Sequence, residues 1–183
     1  MITIRREHAG DVAAREALLD RVFGAARFEK ASERLREGRL PAPGLAFVAT
    51  EGKRLVGTVR LWNVNAGPAH PALLLGPLAV DACERGRGLG SALMEHALAE
   101  AERRGHGAVL LVGDAPYYGR FGFSAAATQA LAMPGACDRD RLLARELRPR
   151  ALAGASGLIA PTGRGAPLRR ARPVATDAYA RAA

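Results

Sequence analysis

Apolar positions recur along this chain with two periods, and the switches between them mark its elements. Ile2 and Ile4 alternate within Ile2–Arg6, predicting a short strand. Asp11 stands where it can cap a helix running to about Phe23, with Ala14, Leu18, Leu19, Val22 and Phe23 on its inner face. Phe28–Glu37 predicts a second, shorter helix ended by Gly38, and Pro41-Ala-Pro-Gly44 a loop. Leu45–Thr50 and Leu55–Asn63 read as strands joined in a hairpin by Glu51-Gly-Lys-Arg54. Asn65–Pro71 is a loop. Leu73–Val80 is a dense apolar run, as expected of a strand buried on both faces. It contains Gly76-Pro77, and a proline cannot donate to a ladder, so a bulge or an end of pairing is expected there.

Gly88–Arg104 carries the strongest helical pattern. Gly90, Leu93, Met94, Ala97, Leu98 and Ala101 fall on one face. Arg103, Arg104 and Gly105 suit its C-terminal end. Ala108–Val112 predicts another buried strand, Pro116–Arg120 a helical turn, and Phe121-Gly-Phe123 the start of a further strand. Arg141–Leu147 reads as helical. From Ala155 the chain is rich in Gly, Ala, Pro and Arg, with five arginines against one aspartate, and reads as a loose tail. The expected organisation is one domain over residues 1–150 and a tail over 151–183.

The composition fits a globular domain of this 183-residue length, 49% hydrophobic and 25% charged. No apolar leader and no run long enough to span a membrane is seen, so a cytoplasmic protein is expected. Cys83 and Cys137 form neither a disulfide framework nor a metal motif, and four scattered histidines add none. The net charge of +9 is almost all arginine. With only 5% aromatic residues it lacks the stacking pattern of a nucleic-acid surface, and no nucleic-acid partner is expected.

Between a buried strand and the strongest helix lies Arg85-Gly-Arg-Gly-Leu-Gly-Ser91. The first amides of a helix lack internal partners, glycines let an anion approach the backbone, and arginine adds charge. A Walker loop would need a lysine after its last glycine, and a dinucleotide fingerprint a GxGxxG spacing. A phosphate turn and a glycine-rich helix start needed for packing both remain open.

The wider context resembles a known family. Arg85-x-x-Gly88-x-Gly90 is similar to the signature of the Gcn5-related N-acetyltransferases. Leu75-Gly-Pro-Leu-Ala-Val80 resembles their fourth strand, Ala108–Val112 their fifth, and Tyr117-Tyr-Gly-Arg-Phe-Gly-Phe123 a segment that follows it. Order and spacing agree over roughly Ile2–Ala126, and the nearest likeness is to a bacterial subgroup of acetyltransferases with no agreed acceptor.

The resemblance implies an α/β three-layer sandwich: a mixed central sheet of about six or seven strands, splayed between strands 4 and 5 and flanked by helices. It implies acetyl-CoA as donor to a primary amine of a small molecule or protein, in a monomer or homodimer. Backbone amides of Arg85, Gly86, Arg87, Gly88, Leu89, Gly90 and Ser91 would hold the pyrophosphate. Backbone groups of Leu78, Ala79 and Val80 would lie along the pantetheine arm, and Asp114, Tyr117 and Tyr118 would also contact the cofactor. Leu78 would supply the oxyanion contact and Tyr118 a proton for the leaving thiolate, with Tyr117 or a purely packing role for Tyr118 as alternatives.

The family's acidic residue on the fourth strand is absent, since Leu74, Leu75 and Gly76 cannot accept a proton. Asp114, His70, a water relay and an amine that arrives neutral are the open choices for the base. The acceptor site is expected from the first two helices with Gly24–Phe28, the 63–72 loop and the segment after Phe123, with Trp62 lining it or packed in the core. The positive charge disfavours strongly cationic acceptors. Two other functions stay in view: a non-catalytic acyl-CoA sensor, and nucleic-acid binding by the arginine-rich tail.

Overall fold

The computed structural model describes residues 1–167; the last part of the expected tail, 168–183, lies outside the described residues. The strands are β1 (Ile2–Arg6), β2 (Ala46–Glu51), β3 (Arg54–Ala66), β4 (Pro71–Val80), β5 (Ala108–Val112), β6 (Leu131–Ala132), β7 (Leu142–Glu146) and β8 (Gly157–Pro161). The helices are α1 (Val12–Phe23), α2 (Leu89–Arg103) and α3 (Ala115–Gly119).

The main sheet runs β1-β2-β3-β4-β5-β7, with β8 on the second half of β3 and β6 beside β8. All neighbours in the main path are antiparallel except β4 and β5. Strand alternation divides the core into two layers. Leu73, Leu75, Val109, Leu111 and Leu143 face α2, whose Leu93, Met94, Ala97, Leu98 and Ala101 are all buried. Leu74, Ala108, Leu110, Leu142 and Ala144 face the other way, onto Trp62, Leu35, Met133 and Ile159. Leu18 and Leu19 of α1 pack on Val48, Leu55 and Ala79. The expected three-layer sandwich is present.

Four local expectations are corrected. Residues 28–37 form no helix; two 3-10 turns, Ala25–Glu29 and Glu33–Leu35, arch over the sheet instead. The segment read as helical at 141–147 is strand β7, because Leu142, Leu143 and Ala144 are buried on alternating faces against β5. Phe121–Phe123 starts no strand: both rings are buried, and only the next residue, Ser124, bridges to Ala144. On α1, Arg15 rather than Ala14 is buried, ion-paired to Glu7, which also takes Arg60 of β3.

The tail is corrected in part. Gly157–Pro161 is a strand that pairs with Val64–Ala66, and Ile159 is fully buried. A boundary at residue 150 therefore cuts through the sheet, and 155–167 is not loose.

Candidate active site

The site begins with a fault in the sheet. Leu75 pairs with Leu61 and Leu78 with Val59, so Gly76 and Pro77 together oppose the single residue Arg60. That is the expected bulge. The indole Nε1 of Trp62 donates to the Gly76 carbonyl at 2.6 Å and pins it. Trp62 is a buried anchor and does not line the cleft below.

Beyond the bulge the sheet opens. β4 and β5 are in register only at Leu73/Val109 and Leu74/Leu110, although β4 continues to Val80 and β5 to Val112. The open stretch is lined by Leu75–Leu78 on one side and Leu111–Asp114 with Tyr118 on the other, in a cleft of about 220 Å³. Residues of an antiparallel strand turn their polar groups alternately to either side. The Asp81 amide bonds to Val56 of β3. By that alternation Ala79 also faces β3, whereas the N–H groups of Leu78 and Val80 point into the open side. Leu78 and Val80 thus turn their N–H groups to the open side, and Ala79 commits its backbone to the sheet.

Tyr118 follows β5 on α3. Its ring is packed so closely on Gly113 that any Cβ there would collide with it. Burial pushes its phenol up to about 12, with the neighbouring Tyr117 and Asp114 adding to the shift. Tyr117 points elsewhere: its hydroxyl lies 3.0 Å from where a Gly90 side chain would begin. The two tyrosines meet edge to face at 4.8 Å but serve separate clefts.

The second cleft, about 390 Å³, is the glycine-rich turn. Val80, Arg85, Gly86, Gly88, Leu89, Gly90, Ser91, Tyr117 and Arg120 line it. Gly86 and Gly88 have φ near 78° and 77°, which only glycine adopts at ease. Gly88 is the residue before α2, so the free amides of the first helical turn open into this cleft. Glu84, 3% exposed, braces the turn by holding both Arg54 and Arg87. The Arg87 side chain is therefore engaged within the protein. Arg120 takes a place that the sequence reading missed: it lies over the Tyr117 ring and donates to the Ser91 hydroxyl at 3.0 Å. Its signal was its position inside the Tyr117–Phe123 segment.

The roof of the first cleft is the arch after α1, contributing Phe23, Arg27, Lys30, Ser32, Glu33 and Arg36, together with Arg141 from the far side. Neither the 63–72 loop nor the residues just after Phe123 line it. Asp114 lines it, 73% exposed and ion-paired to Arg141 at 3.2 Å; its carboxylate does not cap α3. His70 bonds to the Ala153 carbonyl at the other end of β4. At about 3.3 Å per strand residue it stands some 20 Å from the bulge, too far to act there.

An open parallel pair, a bulge on one strand and a glycine turn leading into a helix form a distinctive combination. The model for an acetyltransferase (GNAT) domain matches residues 42–125, the stretch that contains all three. YhbS of Escherichia coli K12, described as an uncharacterized N-acetyltransferase, is 32% identical over 85% of this chain and 93% of its own length. The chain belongs to the GNAT acetyltransferase family. A crystal structure of E. coli YhbS in complex with CoA superposes with a TM-score of 0.73, covering 88% of this chain and 89% of that one. A GNAT acetyltransferase from Brucella melitensis in complex with acetyl-CoA, 26% identical, covers 79% and 96% with a TM-score of 0.55. Among the described residues no acidic, histidine and cysteine groups cluster as a metal site, and no helix is long and apolar enough to cross a membrane.

Proposed function

We propose that this GNAT member transfers the acetyl group of acetyl-CoA to a primary amine by direct attack. The observation that carries the reading is the outward-facing pair of β4 amides, Leu78 and Val80, opposite Tyr118 and continuous with the glycine turn. The relatives crystallised with CoA and acetyl-CoA support the donor. The pyrophosphate would lie on the amides between Arg85 and Ser91, with the Arg85 and Arg120 side chains adding charge. The pantetheine arm would run along β4 through Val80 and Leu78, past Tyr117, toward the bulge.

The amine attacks the thioester carbonyl carbon. Its C–N bond forms as the carbonyl oxygen gains charge, which the Leu78 N–H stabilises. The C–S bond then breaks, and Tyr118 gives its proton to the departing sulfur. The buried phenol stays protonated over the physiological range, and the same burial raises the basicity of the thiolate. The proton shed by nitrogen passes to water or to Asp114. Much of the acceleration comes from holding amine and thioester side by side. The bacterial relatives support a bacterial protein that works in the cytoplasm, where acetyl-CoA is made.

A second reading, a non-catalytic acyl-CoA sensor, has one feature in its favour: β4 brings no carboxylate to the cleft. Calorimetry with acetyl-CoA and thiol release across an amine panel test both readings. Binding with turnover is expected. Binding without turnover of any amine would favour the sensor, and absence of binding would overturn both.

A further inference from the structure

The acceptor side of the cleft has a chemical bias of its own. Arg36 roofs it and is only 8% exposed. A guanidinium carries five donors and no acceptor, and it stays charged even where burial pulls its pKa down, as here. Nη2 reaches Glu33 at 2.8 Å and Ser32 at 3.3 Å. Nε is fully enclosed and has no partner. Nη1 lies 3.7 Å from where a Gly76 side chain would begin, at the bulge itself. The enclosed Nε is out of a ligand's reach, and Nη1, beside the bulge, is the donor placed to meet a ligand oxygen.

The surroundings have the same sign. Arg27, Lys30 and Arg141 line the cleft with Arg36, against Glu33 and Asp114 alone. Arg27 is neutralised from outside by Glu16 and Asp20, and Arg141 by Asp114. Lys30 makes no ion pair among the described residues and instead lies 4.8 Å over the Phe23 ring. One acidic group placed between Lys30 and Arg36 would complete both.

Resting on the acetyl-transfer reading above, we propose that the acceptor is a small amine bearing a carboxylate, anchored by Arg36 and Lys30. The 220 Å³ of the cleft suits a molecule of amino-acid size, not a folded protein surface. Arg36 sits against Gly76, two residues before the Leu78 amide. The anchored carboxylate therefore lies near the reacting carbonyl, and a short spacer brings the amine to it.

The test uses glycine, β-alanine and γ-aminobutyrate, each beside its carboxamide and its decarboxylated alkylamine, with acetyl-CoA and a thiol-release readout. At least one of the acids should turn over, with kcat/KM at least about tenfold above its analogues that lack the carboxylate. Lys30→Gln, at an exposed position, should raise KM for that acid severalfold, and by more than it raises KM for the amides. Arg36→Gln should do so more strongly, and Arg36→Lys should restore part of the loss. Equal use of acids and amides, a preference for the amides, or no turnover of any acid overturns the proposal. If acetyl-CoA binds in calorimetry, that result removes only the acceptor class. If it does not bind, the donor reading falls first.

Discussion

The indole N–H of Trp62 bonds to the carbonyl of Gly76 at 2.6 Å, and so a core side chain on β3 fixes the place where β4 leaves its neighbour. Both groups are buried. Trp62→Phe keeps most of the packing and leaves the Gly76 carbonyl without its donor. We expect a loss of about 1–3 kcal/mol in denaturant unfolding, together with a fall in kcat/KM for acetyl-CoA. Unchanged values for both would mean that the bulge holds itself.

Tyr118→Phe should lower kcat about 100-fold while the Kd for acetyl-CoA in calorimetry stays near wild type. The phenol is raised to about 12, so its acid form persists below that pH. The pH–rate profile should therefore show no descending limb from this residue at pH 7–10. The raised value also makes the folded state hold its proton more tightly than the unfolded chain. This contribution to stability is complete below pH 10 and disappears as the pH climbs toward 12.

Two glycines should separate the two clefts. A methyl on Gly113 runs into the Tyr118 ring, so Gly113→Ala should reduce kcat and spare cofactor binding. A methyl on Gly90 meets the Tyr117 hydroxyl at 3.0 Å, beside the turn, so Gly90→Ala should weaken acetyl-CoA binding instead. Calorimetry and initial rates on both variants decide it; a reversed pattern would contradict the assignment of the clefts.

Asp11 accepts from Nη1 and Nη2 of Arg5, at 2.7 and 2.8 Å, and from the His8 amide. The Arg5 bond chiefly holds its carboxyl down at about 2, against 3.8 ordinarily. The folded state thus binds this proton less readily than the unfolded chain. Stability from the pair is full above about pH 5 and is lost as the pH falls toward 2. Asp11→Asn should flatten the acid side of a plot of unfolding free energy against pH.

Ending the chain after Ala155 deletes β8 and uncovers β3 at Val64–Ala66. Thermal unfolding should show a domain that no longer folds cooperatively. The milder Ile159→Ala removes a fully buried side chain and should cost about 2–5 kcal/mol.

Local pattern revealed those parts of the fold that are locally determined. α2 has six buried positions in helical spacing, and Gly76-Pro77 announces its bulge because proline has no N–H to donate. Other elements depend on partners distant in sequence. Leu142–Glu146 is rich in good helix formers, yet β5 offers it an open edge, and burial on both faces outweighs propensity. β8 is a run of only five residues, bounded by Gly157 and Pro161, that takes its shape from β3, nearly a hundred positions earlier. In the arch after α1, Leu35 is the one large apolar side chain fully buried, too little to pattern a helix. The site divides in the same way. The glycine turn and Tyr118 were legible as motifs. Arg36 was not, since nothing in its neighbours says that an arginine in a charged stretch will be roofed over.

The splay between β4 and β5 also bears on self-association. Strand edges that present free amides usually lie on a protein's rim, where another chain can add to them. Here such an edge is set inside the sheet, with β5 and β7 beyond it and the 23–36 arch above. A second polypeptide cannot align there without first prising off two strands. A slender, flexible ligand threaded along the gap meets no such barrier. The architecture thereby screens by thickness before any side chain screens by chemistry, and the protein keeps a reactive strand edge without an invitation to aggregate.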